Sequence, residues 1–177
     1  MPDLTQAQVY DLLNRPTPLW LAGIDLSKVM LIGANLRDSD LRNANLRGAN
    51  LSGASLRGAK LEGADLRGAN FYRAKLNGAK LHKAKHSEAE FHEANLREAR
   101  LLDVVAHNVD FQDAQMQQAV FTRADLTGSN LNGAHCRGAN FFGTNTTGVQ
   151  ADTAHLAGAL LPTGEFAEGT LVNREES

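Results

Sequence analysis

The chain is poor in several residue types on which common kinds of protein function depend. It has 177 residues and a single cysteine, Cys136, so neither an internal disulfide nor a cysteine-based zinc site can form. Aromatic residues make up only 6% of the chain. No apolar run approaches the ~18 residues of a membrane-spanning helix, and the formal net charge of −2 argues against a general nucleic-acid binder.

The sequence also lacks targeting and catalytic signals. The amino-terminal segment carries Asp3 and Asp11 and no long apolar stretch, so we expect no secretory signal and a cytoplasmic protein without a membrane segment. No GxSxG, HExxH or P-loop motif is present. We therefore predict that the chain is not an enzyme, holds no cofactor and takes no small-molecule substrate.

What the sequence has in abundance is one period of five residues. Of the 29 positions taken every fifth residue from Leu21 to Leu161, 24 are Leu, Phe or Met. The exceptions are His86, Ala106, Cys136, Thr146 and Ala151. In a helix, side chains five residues apart would point in different directions around the axis. In a strand, they would alternate between the two faces. Neither regular element can bury this pattern.

Each five-residue unit carries the features of a bend. A small residue stands two positions before the large apolar one, Asn or Asp often stands directly before it, and Gly often stands two positions after it. A chain that bends once per unit and points the same side chain inward winds into a coil whose turns stack ~4.8 Å apart. The predicted core of this solenoid includes Leu51, Leu56, Leu61, Leu66, Phe71, His86, Phe91, Leu96, Phe111, Met116, Phe121, Leu126, Cys136 and Phe141.

The tandem units, as in "ANLRGANLSG" and "ADLRGANFYR", resemble the A(N/D)LXX units of the pentapeptide repeat family. The resemblance covers about four fifths of the chain and implies an all-β solenoid, a right-handed quadrilateral β-helix with four units per coil. On that basis residues 21–160 would form about seven coils, a rod of roughly 34 Å. The family is abundant in cyanobacteria, which suggests such a source.

The two ends of the chain depart from the period. Residues 1–18 are predicted to form a capping helix and linker, with a capping box of Thr5 and Gln8 and a stop at Pro16. Residues 19–161 form the predicted β-helix, and residues 162–177 a carboxy-terminal cap and disordered tail. Phe166 and Leu171 are the predicted capping side chains of that last segment.

The histidines suggest structural roles. A coil of twenty residues would stack His86 on Ala106, which fits volume compensation in a dense core. His135 and His155 would stack on the outside within reach of a shared metal, but two imidazoles make a weak site. The remaining internal histidines (His82, His92 and His107) fall on other outward columns, where we expect them to be solvated.

Charge is segregated along the rod. Residues 41–85 have a net charge of +8 and residues 86–125 of −5. Five cations form a predicted basic stripe, consisting of Arg57, Lys60, Lys80, Arg97 and Arg100, which could attract an acidic partner. Further along the same side, Leu102, Val120, Phe142 and Leu160 form a predicted apolar cluster. Together these residues predict a surface that docks another protein or a second copy of the chain, unless the tail covers the apolar cluster.

Three functional hypotheses follow. The first is a non-catalytic scaffold for protein interactions, because no pocket-forming insertion interrupts the period. The second comes from the resemblance, since some family members bind DNA gyrase by mimicking a DNA duplex. The +8 segment opposes that role, because a mimic needs dense negative charge. The third, a metal-binding or enzymatic role of the stacked histidines, lacks a catalytic constellation.

Overall fold

The structure, a computed structural model, describes residues 5–165 together with Ala167. It contains one helix, α1, which spans Gln6–Leu13. In the described part, the repeats form single bridged residues rather than longer strands. The predicted side chains Phe166 and Leu171 lie outside the described residues.

The repeats wind into a solenoid. Parallel bridges join residues twenty apart, from the pair Trp20 and Asp40 to the pair Asn140 and Leu160. Four five-residue units therefore make one coil, and each coil hydrogen-bonds to the next, as where the Leu41 N–H donates to the Lys60 carbonyl at 2.7 Å. The predicted β-helical solenoid is confirmed. The described part contains little regular strand, because the turn in every unit leaves only one residue to bridge. The right-handed sense and the number of coils stay predictions.

A β-turn closes nearly every unit. Within one unit, the Ala44 N–H donates to the Leu41 carbonyl at 3.1 Å, and the third turn residue, Asn43, has a positive φ of 56°. The preceding Asn or Asp supports the next turn, as where the Arg47 N–H donates to Asn45 Oδ1 at 3.2 Å. Positive φ favours glycine, yet thirteen of the 27 turn positions with positive φ in the repeats hold other residues, nine of them in consecutive units from Lys83 to Arg123.

Glycine at one of these positions should therefore stabilise the rod. Gln118 is exposed with φ of 59°, a conformation that costs a residue with a Cβ about 1 kcal/mol. We expect Gln118→Gly to raise the free energy of unfolding by about 0.5–1 kcal/mol in chemical denaturation. Asn108→Gly at φ of 52° is the matched control and should change it less, because asparagine tolerates this region. An equal or larger gain from the Asn108 variant would contradict the explanation.

The core fills the inside of the coils. All fourteen side chains predicted for it are buried, with relative exposures of 4% or less. Phe71 and Phe91 stack with ring centroids 4.7 Å apart, Phe111 continues this stack, and Phe121 and Phe141 form a second one at 5.2 Å. The twenty-residue coil thus places like side chains directly over one another.

At each end of the rod, a segment outside the repeats packs against or bonds to the coils. The capping Thr5 hydroxyl accepts from the Gln8 N–H, and the fully buried Val9 joins the main apolar core. At the other end, the Ala167 N–H donates to the Ala159 carbonyl at 2.8 Å after a tight turn at Leu161. Among the residues described, no helix has the length and apolarity to cross a membrane.

Candidate functional site

The basic stripe is centred on one column of bridged residues. Lys60 bridges to Lys80, Lys80 to Arg100, and Arg100 to Val120. Three cations therefore stack in successive coils, ~4.8 Å apart along the backbone ladder. Arg57 and Arg97 occupy the turns that lead into this column and are exposed.

Little negative charge offsets these cations. In the described part of the chain, none of Lys60, Lys80 and Arg100 forms an ion pair with a carboxylate within 4.0 Å. The Asp40 carboxylate, which precedes Lys60 in the column, is already bound, because Arg42 Nε donates to it at 2.8 Å. That hydrogen bond lowers the pKa of Asp40 to about 2, and the charge of Lys60 adds a smaller effect in the same direction.

The predicted apolar cluster lies on two neighbouring columns. Val120 and Leu160 continue the column of Arg100, with Asn140 between them. Leu102 and Phe142 lie on the adjacent column two coils apart, and Phe142 is 51% exposed. The structure thus joins the basic stripe to the cluster through the bridge between Arg100 and Val120.

The tail covers part of the apolar cluster. The ring of Phe142 lies beside Gly164, where an added Cβ would be 3.5 Å from Phe142 Cε2. Phe142 nevertheless remains 51% exposed, and Leu160 is only partly buried. The described tail residues therefore leave an apolar contact open on this side of the rod.

Opposite charges elsewhere pair between coils. Arg73 Nε donates to Glu93 at 2.6 Å, and Arg123 donates to both oxygens of Asp103 at 2.7 and 2.9 Å. Each pair joins residues twenty apart, so their side chains meet on one column. These guanidinium groups lower the pKa values of Glu93 and Asp103. The unpaired basic stripe differs from these neutralised columns.

The three histidines expected to be solvated keep side-chain exposures of 38%, 31% and 44%, and they also lie near acidic side chains. His82, His92 and His107 are partly buried, and each has Nε2 near a carboxylate oxygen, at 3.7, 3.4 and 3.0 Å respectively. The coil places Asp103 beside His82 and Asp125 beside His107, whereas Glu93 directly follows His92 in the same unit. These contacts belong to the surface charge ladders.

The histidine pair predicted on the outside does stack. The rings of His135 and His155 lie 4.8 Å apart between centroids and nearly parallel. Within the described residues, no three His, Cys, Asp or Glu side chains come together as a metal site would require. The pair has no third ligand of that kind.

The carboxy-terminal end of the core holds an apolar cavity of about 180 Å³. It forms because Thr146 and Ala151 stand where other units have Leu or Phe, and Thr146 is exposed. The lining residues, which include Leu131 and Phe141, carry no titratable group. This cavity therefore offers apolar contact and no acid–base chemistry.

Sequence reasoning missed three exposed apolar side chains near the amino-terminal end. Trp20 is 78% exposed, Ile32 58% and Met30 48%. Trp20 heads the column that continues through Asp40 to Lys60. Its place directly before Leu21, where most other units carry polar residues, is the signal that could have identified it.

Comparisons with known proteins agree with this architecture. The model of the pentapeptide repeats matches eight copies over residues 20–48, 49–85, 87–123 and 119–158. No curated protein matches the sequence.

Similar solved structures come from several sources. HetL, involved in heterocyst differentiation regulation in the cyanobacterium Nostoc sp. strain PCC 7120, is 27% identical over 85% of this chain and 82% of its own, with a TM-score of 0.31. A pentapeptide repeat protein of the Arabidopsis thaliana thylakoid lumen is 32% identical over 71% of this chain and 67% of its own, with a TM-score of 0.36. QnrB1, a plasmid-mediated fluoroquinolone resistance protein, is 20% identical over 78% and 75% of the two chains, with a TM-score of 0.48.

None of these TM-scores is high enough to carry an argument about function. The family match is of a different kind, because it extends over most of the chain and over the same units that the bridges stack into coils. The chain belongs to the pentapeptide repeat family.

Proposed function

We propose that this protein is a non-catalytic, rigid scaffold that docks a protein partner on the basic stripe and the adjoining apolar cluster. The observation that carries the proposal is the column in which the unpaired cations Lys60, Lys80 and Arg100 lead directly into Val120. Charge and apolar contact together are the usual elements of a protein interface.

The backbone supports this role by fixing the positions of the outward side chains. The bridge residues of this column are tied from coil to coil. The Arg100 N–H donates to the Ala79 carbonyl and the Arg100 carbonyl accepts from the Leu81 N–H, the two residues that flank Lys80. When a partner binds such a surface, the backbone of the rod needs little further ordering, so less free energy is lost on association. The same cations oppose DNA mimicry at gyrase, since they place positive charge where a mimic needs negative charge.

Further features belong to the proposal. The rod has about seven right-handed coils, α1 caps its amino-terminal end, and the protein acts in the cytoplasm without cofactor, nucleic acid or membrane. The buried Val9 supports the capping role. A cyanobacterial source also belongs to the proposal, because the pentapeptide repeat family is abundant in cyanobacteria.

Charge placed in the apolar cluster should prevent docking. We expect the double variant Leu102→Glu, Phe142→Glu to lose partners that the unmodified protein captures from native lysate, because a carboxylate cannot be desolvated against an apolar partner without cost. The measurement is affinity capture compared by mass spectrometry, together with solution mass to detect self-association.

Ile32→Glu is the matched control, since Ile32 is a similarly exposed apolar side chain outside the cluster. It should leave capture unchanged. Identical capture and identical mass for the double variant and the unmodified protein would remove the proposed docking role.

A further inference from the structure

We infer that the partner presents an acidic stretch followed by an apolar stretch along one face of a single helix, which lies parallel to the rod axis. The acidic end lies over Lys60 and the apolar end over Leu160. This inference rests on the proposed function and specifies the chemistry of its partner.

The charge of the basic stripe favours an acidic partner. Glu62, Glu98 and Asp103 are the carboxylates in the same five-residue units as its five cations, and Asp103 is already paired with Arg123. Like charges on directly opposed residues of a ladder destabilise it. In the described structure the column of Lys60, Lys80 and Arg100 forms no ion pair that would relieve this repulsion. Carboxylates from a partner would relieve it.

The spacing of the column favours a helix over a strand. Successive residues of the column are ~4.8 Å apart, and one helix turn rises 5.4 Å, whereas side chains on one face of a strand repeat every ~6.8 Å. The five steps from Lys60 to Leu160 span about 24 Å, which corresponds to roughly 16 helical residues. A partner helix of ordinary length therefore covers the whole surface.

A second copy of the chain fits this surface poorly. A two-fold pairing of the surface with itself would place cations against cations or against the apolar cluster. The acidic column of Glu90 and Asp110 is ten residues, half a coil, away from the column of Lys80 and Arg100, and so lies on the opposite side of the rod. Pairing it with the basic stripe would therefore be heterologous and would not close a dimer. The complementary partner is a different chain.

A designed peptide tests the inference. The probe is a helical peptide of ~16 residues with three glutamates and then two leucines on one face, spaced by three or four residues. We expect it to bind the full chain, to bind more weakly as salt rises, and to lose at least tenfold in affinity with the variant Lys80→Glu, Arg100→Glu. A peptide with lysines in place of the glutamates should not bind.

The matched control is Lys75→Glu, Arg137→Glu, which reverses two exposed cations outside the basic stripe. It should keep the affinity of the unmodified protein within about twofold. Absence of binding, or equal binding to both double variants, would overturn the inference. If the peptide fails while charge at Leu102 and Phe142 still abolishes capture of a native partner, the acidic helix is wrong and the scaffold stands.

Discussion

Replacing Leu96 with glutamate should unfold the rod, whereas the same replacement at the neighbouring Arg97 should leave it folded. Leu96 is fully buried among the stacked coils. Losing its burial costs about 1.5–3 kcal/mol, and an unpaired buried carboxylate adds several kcal/mol. The sum is comparable with the whole stability of an ordinary domain, about 5–15 kcal/mol.

The adjacent position provides the control. Arg97 is exposed, and its Nε donates to Gln117 Oε1 at 3.0 Å. Losing that surface bond should cost no more than about 1 kcal/mol. Circular dichroism and thermal unfolding of the two variants measure the difference. A Leu96→Glu protein that melts within a few degrees of the unmodified chain would show that the core does not hold the coils together.

Acid should destabilise the rod through His86. Its ring is fully buried, and neither nitrogen has a hydrogen-bond partner among the described groups. Burial lowers the pKa of His86 from 6.5 to about 4; the Ala84 backbone opposes that shift but falls short of hydrogen-bond geometry with the ring. Between pH 6.5 and about pH 4, the unfolded chain binds a proton at His86 that the folded chain does not. The stabilising effect of the neutral ring is therefore fully present above pH 6.5 and is lost as the pH falls to about 4.

The expected loss is about 3 kcal/mol between pH 6.5 and pH 4, since each unit of pKa shift corresponds to about 1.4 kcal/mol. His86→Leu restores the side chain that most units carry and should remove this part of the pH dependence. Denaturant unfolding at several pH values measures it. Phe121→Leu, at another fully buried position of the core, is the control and should leave the slope unchanged. An identical slope in His86→Leu would contradict the assignment.

The five-residue period was enough to predict the inside of the rod. Leu56, Phe91 and even His86 are buried as their positions in the period require. The length of the coil could not be predicted from the five-residue period alone, because the period does not say how many units close one turn. The bridge between Lys85 and Val105 places His86 below Ala106, as the two exceptions in the period predicted.

The surface was less predictable, because it depends on which side chains face each other across coils. The pair of Arg73 and Glu93 follows from the coil length once it is known. Lys83 and Arg123 are both twenty residues from Asp103, yet Asp103 pairs with Arg123. Rotamers and local geometry decide such choices, and sequence spacing does not contain them. The positive φ at residues such as Glu88 was not predicted from the sequence either, since the period suggested glycine at these positions.

The bridges also limit how the chain can change in length. Removing one five-residue unit between Arg100 and Val120 would keep every leucine pointing inward, yet would rotate all later residues by a quarter of a coil. The cations and Phe142 would then face different directions. Only insertions or deletions of twenty residues keep the exterior aligned, so we expect related chains that share this surface to differ in length by whole coils.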